Sequence, residues 1–425
     1  MNDKFKEYFR GILGGQELEE FLRQVQDGES VKKALRINTL LCKPKQKLIA
    51  DVFDLEPLLW NSTGYFYKSK IAIGNTDHYK RGHVYSQEAS SQVAAELLDV
   101  KEKQVILDLC ASPGSKTTHI AALAKNNAFI IANEIDSTRY LKLRNNLRHY
   151  GVICHAISSL DPMHFAQNYT NIFDRILVDA PCTGEGMYFK FPAVLNHWNM
   201  KTVKFNARRQ KNILTRAFEA LKPGGKIVYS TCTLNLEENE KVVDYLLKKY
   251  LGNAKLENID MKHLGLSGTK DGTGEKRKAK EPMLKLWPQE FQTGGFFACV
   301  ITKTSATEMA PVKEKVKLTS RQKRQAAHRV STKFTEAKAS WKICSRKEVL
   351  SVENMINQVL EFGGFKTPEN FVIVKKDNTY FLQHSAFYRR FQDLPVRSLG
   401  LPILVKHENG SKKATPECLR WLNIE

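Results

Sequence analysis

The sequence has 425 residues, of which 42% are hydrophobic and 26% charged, the balance of folded domains with a substantial core rather than of a disordered chain. No apolar run approaches the roughly 18 residues of a membrane span, and charges interrupt the opening MNDKFKEYFRGILGG too often for a signal peptide, so a cytoplasmic protein without membrane partners is expected. A net charge of +21 points instead to a polyanion, nucleic acid before membrane.

In chain order, residues 1–80 read as two short helices and a mixed region with strand-like pieces such as ALRINTLL (34–41). In the first helix Phe5, Tyr8, Phe9, Ile12 and Leu13 fall at helical spacing before Gly14-Gly15. From 81 to 304, short apolar strands alternate with longer helical patterns, the signature of a mostly parallel sheet in an α/β domain. QVILDLC (104–110), AFIIANE (128–134), VICHAIS (152–158), RILVDAPC (175–182) and GKIVYSTC (225–232) are its predicted strands. Helices are expected from about Thr117 and over 138–151, the latter closed by Gly151. LSGTKDGTGEKRKAKEP (266–282) reads as a loop, 305–340 as a basic linker and 341–425 as a compact C-terminal domain. Between Lys313 and Leu350 stand twelve Lys/Arg against three Asp/Glu, which suits phosphate contacts better than a membrane surface.

Ligands of such sheets gather at the strands' carboxyl ends. In LDLCASPGSKTTHIA (107–121) an acidic strand end runs into a loop where Gly114 permits close backbone approach and Pro113 keeps Ser112 extended. Twenty residues beyond Gly114, Glu134 ends the next strand, where Rossmann-like domains bind ribose hydroxyls. GSKT lacks the second glycine of a P-loop and no G-x-G-x-x-G is present, so a P-loop NTPase and a pyrophosphate grip are both disfavoured. A ribose-bearing cofactor without phosphates fits better.

The eight cysteines include no C-x-x-C pair, so neither a zinc ribbon nor a disulfide framework is expected and no metal is assigned. Each thiol is then core filler or nucleophile. Cys182 ends VDAPC and Cys232 ends YSTC, each at the carboxyl end of its own strand, so both can face one pocket. Asn235 and Glu238, three apart just behind Cys232, have the spacing of a helix-opening capping box.

DLCASPGSKT (108–117), DAPCTGEG (179–186) and YSTCTLNLEENE (229–240), in that order, resemble the signature blocks of the Sun (Fmu) family of RNA cytosine-5 methyltransferases, and most of all its bacterial RsmF-like ribosomal RNA branch. LRINTL (35–40), GHVYSQEASSQ (82–92) and GGFF (294–297) match further blocks, and RSLGLPILV (397–405) is similar to the PUA-like C-terminal RNA-binding region of that branch. The resemblance implies a Rossmann-like class I methyltransferase domain using S-adenosylmethionine, with the loop Cys110, Ala111, Ser112, Pro113, Gly114, Ser115 and Lys116 around the cofactor. It further implies Glu134 on the ribose hydroxyls, Asp161 by the adenine, and Asp179 by the methionine end and target base. Cys232 would be the nucleophile on carbon 6 of cytosine and Cys182 the thiol that assists release. Lys190 in MYFKFP matches a basic family position, although Phe189 and Phe191 stand where charged residues are usual. The implied substrate is small-subunit ribosomal RNA, free or within the ribosomal subunit or its precursor. Transfer RNA, or a non-catalytic role in ribosome assembly, is the alternative. Residues 1–80, the basic run and 341–425 are expected to grip RNA while the central sheet carries out the chemistry.

Overall fold

The computed structural model describes residues 2–27, 31–42, 51–270, 273–308, 342–359, 367, 371–385, 390–391, 393–406 and 412–421. Most of the basic run lies outside the described residues.

The chain opens with α1 (Asp3–Arg10) and α2 (Gly15–Gln26). Asn2 caps α1 by accepting from the Lys4 amide, and Gly14 rather than a continuing helix separates the two. Four antiparallel strands follow: β1 (Ala34–Ile37), β2 (Asp54–Leu58), β3 (Asn61–Lys68) and β4 (Val84–Ser86), in the order β2-β3-β1-β4. This sheet extends into GHVYSQEASSQ, because β4 pairs with β1.

The central sheet alternates strand and helix as its apolar runs predict. A short helix α3 (Val93–Leu97) leads to β5 (Val105–Asp108), α4 (Ser115–Leu123), β6 (Phe129–Asn133), α5 (Ser137–His149), β7 (His155–Ser158), α6 (Pro162–Asn168) and β8 (Phe173–Asp179). The long α7 (Met200–Ala220), β9 (Leu221–Thr231) and α8 (Glu240–Lys249) complete the parallel part. The parallel order is β7-β6-β5-β8-β9, so the winding reverses between β5 and β8. A crevice at such a reversal is where doubly wound sheets bind ligands. Antiparallel strands β10 (Ala254–Glu257), β11 (Met283–Leu286) and β12 (Phe296–Lys303) extend the β9 side. Both faces of the sheet are covered by apolar clusters, as strands such as VILD and FIIAN, buried at every position, require.

The helix expected from Thr117 begins at Ser115, because Gly114, at φ 103°, turns the chain directly into it. VICHAIS is strand only over 155–158; its first residues turn below Gly151.

The C-terminal region forms β13 (Lys342–Ile343), α9 (Arg346–Val359), β14 (Phe371–Lys376), β15 (Thr379–His384), β16 (Val396–Leu399), β17 (Leu401–Lys406), β18 (Lys412–Ala414) and α10 (Pro416–Trp421). Five of these strands make their own antiparallel sheet, β13-β14-β15-β17-β18. The sixth, β16, instead pairs antiparallel with β7 at the free edge of the central sheet. Phe391 is fully buried there, its ring 5.3 Å from Tyr169, 5.7 Å from Phe129 and 5.8 Å from Phe173. The C-terminal region and the central sheet therefore share a core.

Deleting this aromatic plug leaves a cavity against three rings. Phe391→Ala is expected to lower the unfolding free energy by about 3–5 kcal/mol in denaturant titrations of the whole chain. A loss below about 1 kcal/mol would show that the shared core contributes little.

Candidate active site

The two strand ends on either side of the winding reversal carry the site. After β5, residues 109–114 form a loop fastened to the second strand and its helix. Ala111 N–H donates to Asn133 O, Arg139 Nη2 donates to Ser112 O at 2.8 Å, and Asn146 Nδ2 donates to Pro113 O at 2.8 Å. Glu134 lies at the end of β6, buried, accepting from Asp136 N at 2.9 Å and standing 3.5 Å from Arg139. Burial raises its pKa against the pull of those partners. Lys116, on the first turn of α4, reaches across to Asp179 at the end of β8 at 2.7 Å. Burial alone would lower the Lys116 pKa, but the Asp179 carboxylate outweighs it and the net shift is upward. Ser230 on β9 donates to the other Asp179 oxygen at 2.9 Å.

The two thiols come together. Cys182 Sγ and Cys232 Sγ are 3.3 Å apart, each beyond the end of its strand. They are not equivalent. The hydrogen bond to Cys232 comes first and burial second in pushing the Cys182 pKa well above that of a free thiol, with Glu238 and Glu185 adding to the effect. The two sulfurs share one hydrogen bond, in which either can donate. The Lys116 ammonium lies within electrostatic reach of Cys232.

Two buried carboxylates behind the sulfurs set this geometry. Glu238 accepts from Thr183 N at 3.0 Å, from Thr183 Oγ1, from Gln210 Nε2 at 2.7 Å and from Asn235 Nδ2 at 2.9 Å. Glu185 accepts from Trp198 Nε1 at 2.8 Å, from Thr233 Oγ1 and from the same Asn235 amide at 2.8 Å. Thr183 follows Cys182 and Thr233 follows Cys232, so each thiol's neighbour is held by a carboxylate and Asn235 ties the two carboxylates together. Gly186 passes between the strand ends, its N–H donating to Cys232 O at 2.9 Å. A Cβ there would collide with the Gly295 carbonyl and lie 2.8 Å from that of Cys232. The GEG and GGFF blocks thus fit only as glycine against glycine. The N-terminal helices brace the same segment: Tyr8 Oη accepts from Leu236 N at 3.0 Å, and Phe5, Phe9 and Phe21 pack with Trp198 and Trp287.

The capping-box spacing at Asn235 has a different outcome. Asn235 Oδ1 does accept from Glu238 N at 2.9 Å, but it closes a turn over 236–239, and α8 opens only at Glu240. The Glu238 carboxylate is committed to Thr183, Gln210 and the Asn235 side-chain amide rather than to the Asn235 backbone N–H. Glu237 turns away to Lys241.

The remaining expected residues are less connected. Asp161 caps α6 at the end of β7, accepting from Met163 N at 2.8 Å, and touches none of the others. Lys190 is exposed, its Nζ 5.5 Å from the Phe189 ring centroid. Cys110 is pushed upward in pKa by burial first and by Asp108, Asp179 and Glu134 after it, so it remains a thiol. Asp108, Glu185 and Gln210 are not singled out from the sequence, and Glu238 is read there only as a helix-capping residue. The acids GEG and ENE inside the two cysteine blocks were the available signal.

The donor and acceptor set fits a charged nucleoside. Asp108 has one buried oxygen with no hydrogen-bond partner, and burial raises its pKa to about 7 even though Thr117 donates to the other oxygen. With Glu134, Asp179 and the Gly114 turn, these carboxylates suit a diol and a cationic centre without phosphates. Fold and site together define a Rossmann-like methyltransferase of the S-adenosylmethionine-dependent class.

Comparison with known proteins gives the family. The family described as 16S rRNA methyltransferase RsmB/F matches residues 95–302, and the N-terminal domain of 16S rRNA methyltransferase RsmF matches residues 1–89. The chain is 32% identical over 423 residues to ribosomal RNA small subunit methyltransferase F of Vibrio vulnificus, covering 96% of this chain and 81% of that one. It is 36% identical over 396 residues to the protein of the same name from Aliivibrio fischeri, covering 89% and 76%. A methyltransferase homologue from Pyrococcus horikoshii superimposes with a TM-score of 0.60 at 28% identity, over 71% of this chain and 95% of that one. NSun6 from the same organism, solved with SFG, shows the same fold at 22% identity and a TM-score of 0.60, over 71% and 97%. The chain belongs to the RsmB/F family of 16S rRNA methyltransferases, and it is an S-adenosylmethionine-dependent enzyme.

Burial, and then the nearby Glu185, push the Glu238 carboxyl up to about 7. A proton held more tightly in the folded chain than in the unfolded one stabilises the fold at low pH, and that contribution is lost as pH rises through about 7. The melting temperature of the wild type is therefore expected to fall more steeply than that of Glu238→Gln between about pH 5 and pH 8. Scanning calorimetry at several pH values checks this; parallel profiles would contradict it.

Proposed function

We propose that this chain methylates carbon 5 of a cytosine in 16S ribosomal RNA through a covalent adduct between Cys232 and carbon 6, on the free RNA or on the small subunit or its precursor. The observation that supports this most directly is the pair of sulfurs 3.3 Å apart at the ends of β8 and β9. Carbon 5 of cytosine is too electron-poor to take a methyl group unaided. A thiolate adding to carbon 6 makes it enamine-like, which is why a cysteine is needed at all. S-adenosylmethionine, when bound, supplies the electrophilic methyl that carbon 5 takes. The loop from Cys110 to Lys116 and Glu134 would hold that cofactor, with Asp161 by its adenine and Asp179 by its methionine end and the target base.

The remaining work falls to the chain's own residues. Cys232 is the adding sulfur, and Cys182 stands within hydrogen-bonding distance of it at 3.3 Å. After transfer, a base removes the carbon-5 proton and the electrons of the carbon–sulfur bond return to Cys232. The Cys182 proton then stands in hydrogen-bonding distance of the departing sulfur, which favours release over return. Lys190 orients the target nucleotide or its phosphate. The target must leave its stack to reach the thiols, at a cost of a few kcal/mol that backbone contacts offset.

RNA is gripped by residues 1–80, the basic segment around 305–340 and the PUA-like C-terminal domain at 341–425, with the methyltransferase domain at 81–304. Such an enzyme works in the cytoplasm, where its ribosomal substrate and a reducing medium for eight free cysteines are found.

Two substitutions separate the roles. With RNA and S-adenosylmethionine, Cys182→Ala is expected to accumulate a protein–RNA adduct on denaturing gels, whereas Cys232→Ala forms none and loses methylation by about 10³-fold or more. Methylation retained in both variants, with no adduct in either, would falsify the assignment. Bisulfite mapping of 16S and transfer RNA from a deletion strain then decides the substrate; a lost mark in transfer RNA alone would overturn the ribosomal reading.

A further inference from the structure

Helix α7 carries a surface that the chemistry does not use. Its first five turns, Met200 to Phe218, contain Lys201, Lys204, Arg208, Arg209, Lys211 and Arg216 and no carboxylate before Glu219. Arg216 pairs with Glu219 and Lys211 lies over the Tyr245 ring. Lys201, Lys204, Arg208 and Arg209 are exposed and form no ion pair among the described residues. Phe205 stands among them, 62% exposed.

This arrangement is unfavourable for the helix itself. Lys201 and Lys204 sit in its first turns, where the macrodipole is positive and acids are preferred. Lys204 and Arg208 are four apart on one face, a repulsive spacing. Placing four free cations and an exposed phenylalanine there makes physical sense when a polyanion with stacking faces covers them.

The position of the helix says which polyanion. Gln210 Nε2 donates to Pro181 O at 3.0 Å, and Asn206 Nδ2 donates to Thr183 Oγ1 at 3.5 Å, so the helix is fastened on both sides of Cys182. Phe205 and Arg209 neighbour Asn206 around the helix on its solvent side. Arg209 also lies within electrostatic reach of Cys110 in the cofactor loop. Flanking phosphates of a strand whose cytosine occupies the thiols can run over the Phe205 and Arg209 side of this helix, with Lys201, Lys204 and Arg208 further around it.

We propose that the exposed face of α7 is an RNA-binding surface within the catalytic domain, where Lys201, Lys204, Arg208 and Arg209 hold the phosphates flanking the target cytosine and Phe205 stacks on an adjacent base. The proposal deepens the reading of the thiol pair as the cytosine site. It is independent of the basic run at 313–350, which was the expected source of phosphate contacts.

Binding of a labelled single-stranded oligocytidylate by the full-length chain, followed against salt, tests it. Each single-strand phosphate contact contributes about 0.7 to the slope of log affinity against log salt. Lys201→Gln, Lys204→Gln and Arg208→Gln combined should flatten that slope by about 2 and weaken binding about a hundredfold in about 0.1 M salt. With a 16S transcript, the KM should rise while kcat at saturating RNA stays within about twofold. Phe205→Ala should weaken binding about tenfold with the slope unchanged. Lys248→Gln with Lys249→Gln, at the far end of α8, should alter neither. An unchanged slope in the triple variant overturns the proposal and leaves the face to solvent or to an acidic protein. A wild type that shows the full slope but methylates no cytosine would refute the chemistry and leave this surface standing.

Discussion

The site depends on one buried polar knot. Glu185 and Glu238 share the Asn235 amide, and between them they hold Thr183 and Thr233, the residues that follow the two thiols. Withdrawing a carboxylate from water costs several kcal/mol unless its oxygens are matched, and a half-matched network is worse than an apolar one. Here Trp198, Gln210 and the Thr183 amide complete the matching. The carboxylate oxygens are thus matched only when both loops are in place together, which converts two independent strand ends into one rigid pair of sulfurs, while the Gln210 Oε1 is left buried without a partner. The raised pKa of Glu238 is the residue of that cost, and it is tolerated because position rather than stability is what the site needs.

That rigidity gives the thiols different surroundings. The negative surroundings of Cys182, including both glutamates, oppose its ionisation, while Lys116 faces Cys232 and is itself held by Asp179. A single ion pair therefore links the loop after β5 to the strand end after β8, with Cys232 after β9 within its electrostatic reach. It lies at the reversal of the winding, where the loops of adjacent strands diverge and leave a crevice. Fold topology puts the groups within reach, and the polar knot holds the residues that follow the two sulfurs.

Much of this was legible in the sequence, for physical reasons. Strands buried on both faces must be apolar throughout, so VILD, FIIAN and RILVD announced the parallel sheet, and chain order placed both cysteines at carboxyl ends. Glu134 stood out because an acid ending a buried strand needs a reason. What was not legible came from contacts between distant residues. Tyr8 reaching Leu236 and β16 adding to β7 have no local signature: VRSL neither alternates nor is uniformly apolar. The capping spacing at Asn235 was misleading because a turn and a helix start share the same first hydrogen bond. Only the tertiary demand on the Glu238 carboxylate separates them.

The addition of β16 also changes how the modular organisation should be understood. An RNA-binding appendage joined by a basic linker would be removable, and its loss would report on RNA affinity alone. A strand that completes the catalytic sheet, with Phe391 filling a hole between Phe129, Tyr169 and Phe173, is not removable in that sense. Cutting the chain after β12 would expose the β7 edge and an apolar cavity, and an unpaired edge is an aggregation hazard. Loss of activity in such a truncation would therefore measure folding before it measured RNA binding. Point substitutions on exposed cations, which leave both the edge and the plug intact, are the changes from which the RNA path can be read.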